Sequence, residues 1–221
     1  GASRIDLNEG GFSSGGGLSE RISIAHGAVI EEAVAGAGDD LVLGNGSDNS
    51  LFLQLGGKDE VRAGDGNDGI YFGGALDPLD LVDGGSGVDT LALQGLYPGL
   101  ALGALAGIEL LLVLPGDDVR FGYQAGGLLG YGLASADANV AAGERLTVSA
   151  ATLRPGESLN FDGAAETDGQ LWIFAGRGAD ALKGGAGSDG FFFGADARMP
   201  EGWLPPDQAA PAKGGGPARK K

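Results

Sequence analysis

Glycine and aspartate recur in a nine-residue pattern, G-G-x-G-x-D-x-U-x, in which U is a large apolar residue. Two contiguous copies cover residues 35–52, and two more cover residues 54–71 after one inserted residue, Leu53. A lone copy covers residues 84–92, and a second contiguous pair begins at residue 175. Aspartate carboxylates and turn carbonyls are hard oxygen donors, the ligands that Ca²⁺ prefers. The repeat therefore predicts calcium-binding turns.

The same pattern predicts the elements that position these turns. Each copy places six turn residues before three strand residues, so two copies complete one coil and stacked turns lie about 18 residues apart. The U residues would then form an interior ladder of Val42, Leu51, Val61 and Ile70. Glycine permits the backbone conformations that let carbonyl oxygens converge. The predicted fold is an all-β parallel β-roll, or β-solenoid, with calcium-binding glycine-aspartate turns.

Composition supports a metal ion as the cofactor. The chain has 46 glycines in 221 residues without a three-residue period, which excludes a collagen helix. Its formal charge of −16 disfavours nucleic acid and anionic membranes as partners and favours a bound cation. There are no cysteines, which excludes disulfides and cysteine-based zinc sites. Calcium ions are the expected partner and the expected source of stability.

A glycine-aspartate pair has a simpler interpretation, because these residues are common in ordinary tight turns. For the lone copy that contains Asp89, both interpretations remain open. For the four nearly contiguous copies, calcium binding is favoured, because ordinary turns do not require a repeated spacing.

The chain divides into four predicted segments. Residues 1–92 contain the first block of repeats. Residues 93–165 contain few repeats but many short apolar runs separated by Gly, Asp and Pro, which predicts buried strands and a metal-poor continuation of the solenoid. Residues 166–197 form a second repeat block. Residues 198–221 are proline-rich with a basic end, which predicts a disordered or partner-bound tail.

Residues 91–114 are almost entirely apolar, glycine or alanine, so a membrane-spanning helix is an alternative there. Gln94, Pro98, Glu109 and the glycines of this segment disfavour that alternative, because they weaken a lipid-exposed helix. Buried strands are the preferred interpretation.

The nine-residue copies resemble the RTX (repeats-in-toxin) nonapeptide. The sequences IDLNEGGFSS at residues 5–14 and ISIAHGAVIEEAVAGAGDD at residues 22–40 resemble the start of the C-terminal β-roll domain of serralysin-type secreted metalloproteases. Residues 80–95 and 159–194 resemble repeats of large bacterial RTX proteins that use type I secretion. The resemblance implies a bacterial protein that is secreted, extracellular or on the cell surface. The basic C-terminus, Pro-Ala-Arg-Lys-Lys, departs from the acidic and apolar end of such proteins.

The resemblance also implies ligand roles, because each ion in that family is shared by two stacked turns. One turn gives the carbonyls of its second and fourth residues and its aspartate, and the next gives the carbonyls of its first and third residues and its aspartate. The first implied site consists of Gly36, Gly38, Asp40, Gln54, Gly56 and Asp59. The second consists of Asn45, Ser47, Asn49, Ala63, Asp65 and Asp68.

Departures from the family pattern make other sites weaker expectations. Asn49 replaces an aspartate, which should weaken the second site unless Asp48 compensates. In the late block the spacing pairs Asp162 with Asp180. It also places Asp189 opposite Leu171, where Asp168 is the nearby carboxylate.

Catalytic chemistry has little support in the sequence. The only histidine is His26, whereas the protease needs H-E-x-x-H and a third histidine, so the protease domain is not in this chain. His26 could be a ligand or base, but a lone histidine is more often structural. Three glutamates without context, Glu109, Glu157 and Glu166, leave a hydrolase as a remaining alternative.

The sequence thus predicts an extracellular calcium-binding module, non-catalytic on its own, that folds on Ca²⁺ binding after secretion. One alternative is a structural subunit of a surface layer, an adhesin or another extracellular assembly, joined to a partner or a second copy through the solenoid ends or the tail. The other is the accessory C-terminal domain of a secreted serralysin-like metalloprotease or other hydrolase.

Overall fold

The computed structural model describes residues 1–193, so the predicted tail lies outside the described residues, as does the end of the second repeat block. Within residues 1–193 the regular structure is β-strand, apart from a 3₁₀ turn at Asp137–Asn139. The strands are β1 (Arg4–Asp6), β2 (Phe12–Gly15), β3 (Leu18–Ser23), β4 (Glu32–Val34), β5 (Leu41–Leu43), β6 (Ser50–Phe52), β7 (Glu60–Asp65), β8 (Gly69–Gly73), β9 (Leu81–Ser86), β10 (Thr90–Leu93), β11 (Tyr97–Ala101), β12 (Ala104–Ala106), β13 (Leu110–Val113), β14 (Gly130–Ala134), β15 (Arg145–Ser149), β16 (Ser158–Asp162), β17 (Gln170–Phe174), β18 (Ala181–Lys183) and β19 (Gly190–Phe192).

The strands form three sheets that wind around one core. The first sheet has the order β12-β9-β7-β5-β1-β2-β3, the second β19-β17-β15-β13-β10-β8-β6-β4, and the third β11-β14-β16-β18. Pairing is parallel in all three, except in the N-terminal hairpin, where β2 runs antiparallel to β1 and β3. Short strands of this kind are stable because each coil packs on its neighbours. The predicted parallel β-solenoid is confirmed.

The register follows the apolar ladder. Val42 pairs with Val61 in the first sheet, and Leu51 pairs with Ile70 in the second. All four side chains are at most 1% exposed, as the position of U predicts. The two residues of each pair are 19 positions apart in sequence rather than 18, as expected if Leu53 is an insertion.

The apolar segment at residues 91–114 forms strands β10 to β13 of this solenoid. Within residues 1–193 the structure contains no helix with the length and apolar character needed to cross a membrane.

A second buried apolar cluster lies apart from the main core. It includes Tyr71, Leu110 and Leu112. The ring of Phe121 covers it by stacking on Tyr71 at a centroid distance of 4.7 Å.

The repeat turns stack backbone against backbone. Gly87 has φ of 142°, and a Cβ there would overlap the carbonyl oxygen of Gly66 in the preceding turn. Gly57 has φ of 143°, and a Cβ there would overlap the carbonyl oxygen of Gly38. Glycine is required at such positions both by the left-handed conformation and by the close approach. This stacking brings successive aspartates of the repeats into columns.

Candidate metal centre

The first column consists of three buried aspartates, Asp40, Asp59 and Asp80, each at most 2% exposed. Each lies two residues before a ladder valine of the first sheet. The backbone N–H of Asp40 donates to Oδ1 of Asp59 at 3.0 Å, and that of Asp59 donates to Oδ1 of Asp80 at 2.8 Å. The aspartates therefore stack along the solenoid axis, one per coil.

The second column runs along the second sheet through Asn49, Asp68, Asp89 and Glu109. The backbone N–H of Asn49 donates to Oδ1 of Asp68 at 2.7 Å, and that of Asp68 donates to Oδ1 of Asp89 at 2.7 Å. The N–H of Asp89 donates to Oε2 of Glu109 at 2.8 Å. Both columns thus repeat one arrangement, in which each carboxylate uses one oxygen to hold the preceding coil.

The second oxygen of three column residues has no hydrogen-bond partner in the described part of the chain. These atoms are Oδ2 of Asp59, Asp68 and Asp89, and all three are buried. Burial raises the pKa of Asp59 and of Asp68 to about 6 and that of Asp89 to about 7. A buried carboxylate oxygen without a partner is costly, and a bound cation would remove that cost. The residues present therefore fit a hard cation.

The remaining side-chain oxygens of these columns close turns. Oδ2 of Asp40 accepts the N–H of Gly36 at 3.0 Å, four residues earlier. Oδ1 of Asn49 accepts the N–H of Asn45 at 2.9 Å, while its Nδ2 donates to the carbonyl of Ile30 at 3.3 Å. Asn49 therefore also ties the preceding segment to the roll. Asp48 is exposed, and its Oδ1 accepts the N–H of Asn67 at 2.7 Å.

The structure brings together the turns that were predicted to share ions. The N–H of Gly38 donates to the carbonyl of Gly56 at 3.1 Å. The N–H of Asp65 donates to the carbonyl of Asn45 at 3.2 Å. Turn residues 36–40 therefore stack on residues 54–59, and residues 45–49 stack on residues 63–68. Gln54, Ser47 and Ala63, the other predicted carbonyl ligands, lie within these stacked turns.

The late block adopts a different pairing from the predicted one for Asp162 and Asp180. Asp162 is exposed and lies opposite Lys183, whose Nζ is 3.4 Å from its Oδ1. A hydrogen bond from the N–H of Ala164, aided by Lys183, lowers the pKa of Asp162. Oδ1 of Asp180 instead accepts the N–H of Leu159 at 2.7 Å. The sequence register was three residues off, because the coil that contains Asp162 has no complete repeat.

Asp189 lies where the spacing placed it. Its Oδ1 accepts the N–H of Leu171 at 2.9 Å, so an apolar residue stands where the other columns have a carboxylate. Asp168 lies in a group with Asp137 and Glu166, in which one carboxylate oxygen of each residue is within 4.8 Å of the others.

Comparison with known proteins identifies the family. The family model described as Peptidase M10 serralysin C terminal matches residues 2–199.

The chain belongs to the serralysin C-terminal family.

Curated serralysins share a short segment with this family member. Serralysin of Photorhabdus laumondii is 50% identical over 48 residues, which is 22% of this chain and 10% of that protein. Serralysin G of Dickeya chrysanthemi is 54% identical over 48 residues, with the same coverage of 22% and 10%. Serralysin of Proteus mirabilis is 49% identical over 47 residues, which is 21% of this chain and 10% of that protein. The aligned segment thus spans about a tenth of the length of these relatives.

Two column residues of this serralysin C-terminal domain, Asp80 and Glu109, were not predicted as metal ligands from the sequence. Each lies in a degenerate repeat, ALDPLDLVD at residues 75–83 and ALAGIELLL at residues 104–112. The first of these repeats has lost all three early glycines and the second keeps only Gly107, but both keep an acidic sixth residue and an apolar eighth residue. A search for that pair of positions alone would have found both.

The other candidate catalytic residues have structural partners in this family member. His26 is exposed, with Nδ1 2.5 Å from Oε1 of Glu9. Glu157 is fully buried and accepts hydrogen bonds from Arg154 and from the N–H groups of Gly116 and Leu129. Neither arrangement resembles the two carboxyl groups that a glycosidase places on either side of the bond it cleaves.

Proposed function

We propose that this chain is a calcium-binding β-roll module that folds outside the cell when Ca²⁺ binds, as the non-catalytic C-terminal part of a secreted serralysin-like protein. The observation that supports this most directly is that Oδ2 of Asp59, of Asp68 and of Asp89 is buried and has no hydrogen-bond partner within residues 1–193. When bound, Ca²⁺ would supply positive charge to these oxygens and to the turn carbonyls beside them.

The energetics follow from the charge of the chain. Each ionised column aspartate is costly to bury alone, as the raised pKa values of Asp59, Asp68 and Asp89 indicate. The net charge of −16 adds repulsion among the coils. If the ions are absent, the unfolded chain relieves both costs by exposing the carboxylates to water. The free energy of ion binding then becomes free energy of folding.

An accessory role fits both the family and the chemistry. The matched family is the C-terminal family of the serralysins, and the chain has a single histidine, too few for the zinc site of such a protease. Any protease activity would then belong to another part of a longer protein. Extracellular calcium, at millimolar levels, is in the range that weak extracellular calcium modules use.

A calcium titration followed by circular dichroism tests the proposal. We expect the β-sheet signal to develop as calcium is added to the metal-free chain and to disappear when a chelator is added. Asp68→Asn and Asp89→Asn should each raise the calcium midpoint at least about tenfold, because each removes a charged ligand. Glu32→Gln, at an exposed residue of β4, is the matched control and should leave the midpoint unchanged. A metal-free chain that is already fully β-structured would contradict the proposal.

A second candidate function is assembly with another protein through an end of the solenoid. Exposed Ile22 and Val34 line a cavity of about 360 Å³ beside the N-terminal hairpin, which offers an apolar surface for a protein partner or a second copy. A calcium-dependent and concentration-dependent increase in mass by light scattering would favour it, and Ile22→Ser should abolish that increase.

A further inference from the structure

We infer that Asp137, Glu166 and Asp168 form a separate Ca²⁺ site that lies outside the nine-residue repeats. One carboxylate oxygen of each residue lies within 4.8 Å of the others. Asp137 begins the 3₁₀ turn after β14, whereas Glu166 and Asp168 lie in the turn between β16 and β17. The three residues therefore join two segments that are about 30 residues apart in sequence.

Glu166 is the anchor of this site. Its side chain is 0% exposed, and Oε1 accepts the backbone N–H groups of Thr167 at 3.0 Å, Asp168 at 3.1 Å and Gly169 at 2.8 Å. Its own N–H donates to Gly163, and its carbonyl accepts the N–H of Ala186. Backbone hydrogen bonds therefore hold both the main chain and one carboxylate oxygen in place.

The other oxygen of Glu166 indicates that a ligand belongs here. Oε2 is buried and has no hydrogen-bond partner within residues 1–193. The N–H groups of Thr167, Asp168 and Gly169 already satisfy Oε1, so rotation of the carboxylate would only exchange one unpartnered oxygen for the other. An ionised oxygen of this kind is costly to bury without a partner, and a cation would supply one. With two other carboxylates next to it, a cation also relieves the repulsion among the three charges.

The two exposed members leave room for solvent ligands. Asp137 and Asp168 are both exposed, so water can complete the coordination shell. Oδ1 of Asp137 accepts both the N–H of Thr167, at 2.8 Å, and its hydroxyl, at 2.6 Å, which fixes the turn against the 3₁₀ segment. All donors are oxygens, and the irregular set suits Ca²⁺, with its flexible shell of 6–8 ligands, better than the octahedral Mg²⁺.

The location explains what such an ion would do. In the part of the solenoid that follows Glu109, the positions of the second column are taken by Leu146 and Leu171, which pair with each other. Leu159 takes the corresponding position in the third sheet, facing Asp180. Repeat carboxylates are therefore interrupted in these coils. An ion held by Asp137, Glu166 and Asp168 would stabilise these coils, which lack the repeat carboxylates.

Calcium binding to the whole chain, counted by equilibrium dialysis and measured by calorimetry, tests the inference. Glu166→Gln keeps an oxygen for the three N–H groups and removes the charge, so we expect one calcium ion fewer, or one site weakened more than about tenfold. Asp168→Asn changes an exposed residue and should weaken the same site even if Glu166→Gln folds poorly. Glu144→Gln, an exposed glutamate outside the group, is the matched control and should bind as the unaltered chain does.

Asp68→Asn separates this site from the repeat turns, since it removes a ligand of the repeats and no ligand of the Glu166 site. Calcium counts and affinities in Glu166→Gln and Asp168→Asn that equal those of the unaltered chain would overturn the inference, while a loss in Asp68→Asn would still support the proposed function. Loss in the Glu166 variants with none in Asp68→Asn would support this site and contradict the repeat sites. An unaltered chain that binds no calcium would overturn both.

Discussion

A buried column aspartate in this solenoid uses its two oxygens for different purposes. Oδ1 of Asp68 accepts the backbone N–H of Asn49 from the preceding coil, while Oδ2 has no partner among the residues described. The first oxygen contributes to folding with or without metal, whereas the second contributes only when a cation is present. Substitution by asparagine can therefore remove the second contribution and keep most of the first.

Asp40 and Asp59 provide the first prediction. If they share one ion, Asp40→Asn and Asp59→Asn should each weaken one calcium site, and the double variant should be little worse than either single variant. Asp59→Asn keeps an oxygen for the N–H of Asp40, so its loss reports mainly the missing charge. Asp40→Asn also gives up one of the two backbone hydrogen bonds that Asp40 accepts, from Ser3 and Gly36. Calorimetric calcium titrations of the four proteins measure the coupling. Additive losses would show that the two aspartates do not share an ion.

Glu157 provides a prediction that does not involve metal. Burial alone would raise the pKa of Glu157, but hydrogen bonds from Arg154 and from the N–H groups of Gly116 and Leu129 outweigh it and lower that pKa to about 2. A depressed pKa contributes stability above the unfolded value of 4.5, and that stability is lost as the pH falls from 4.5 towards 2.

Glu157→Gln should therefore lower the free energy of unfolding of the calcium-loaded chain by about 3 kcal/mol at pH 7, because Arg154 and the N–H groups lose a charged partner. The deficit should stay constant between about pH 7 and pH 5 and shrink below the unfolded pKa. Urea unfolding at these pH values, with Glu32→Gln as the surface control, measures it. An equal deficit at pH 7 and pH 4 would contradict this role.

At the level of elements, the repeat turn depends on backbone contact more than on side chains. Gly87 and Gly66 touch across successive turns, and their φ values of 142° and 121° suit only glycine. Gly46 also belongs to a repeat turn, but no atom lies within 4 Å of the position of a Cβ there. Glycine is therefore required where turns stack on each other and can be replaced at other positions of the turn.

Gly87→Ala should consequently destabilise the calcium-loaded chain by more than about 2 kcal/mol, because the new Cβ overlaps a carbonyl oxygen in a strained conformation. Gly46→Ala should change stability by less than about 1 kcal/mol. Thermal unfolding of both variants at one calcium concentration compares them directly. Equal losses in the two variants would mean that the turns do not stack as closely as the structure indicates.

The element level also shows which features the sequence could predict. The register across Leu53 was predictable, because the ladder of Val42 and Val61 fixes which residue faces the core. The position of Asp180 opposite Leu159 was not predictable, because the coil at Leu159 has no repeat to set its register. Asp80 and Glu109 were hidden because most of the early glycines of their repeats are missing, although the acidic position is intact. The group at Glu166 joins residues about 30 apart in sequence, and no local spacing signals such a contact.

At the scale of the whole molecule, each coil contacts mainly the coils next to it, so the stability of a solenoid is approximately a sum of local terms. The carboxylate columns extend from Asp40 to Glu109, and Leu146, Leu159 and Leu171 then interrupt the pattern. Calcium should therefore act first on the N-terminal coils. The apolar coils that follow would fold on that template, aided by the site at Glu166.

Hydrogen exchange at graded calcium concentrations tests this order of folding. We expect amides of β5 to β10 to become protected at lower calcium than those of β14 to β17, because the former contain the columns. Asp68→Asn should shift protection of both regions to higher calcium, since the later coils lose their template. Glu166→Gln should shift protection to higher calcium only in β14 to β17, because the ion at Glu166 stabilises those strands alone. Protection that develops at a single calcium concentration in every strand of all three proteins would contradict this order. It would mean that the solenoid folds as one cooperative unit, although contacts are mainly between neighbouring coils.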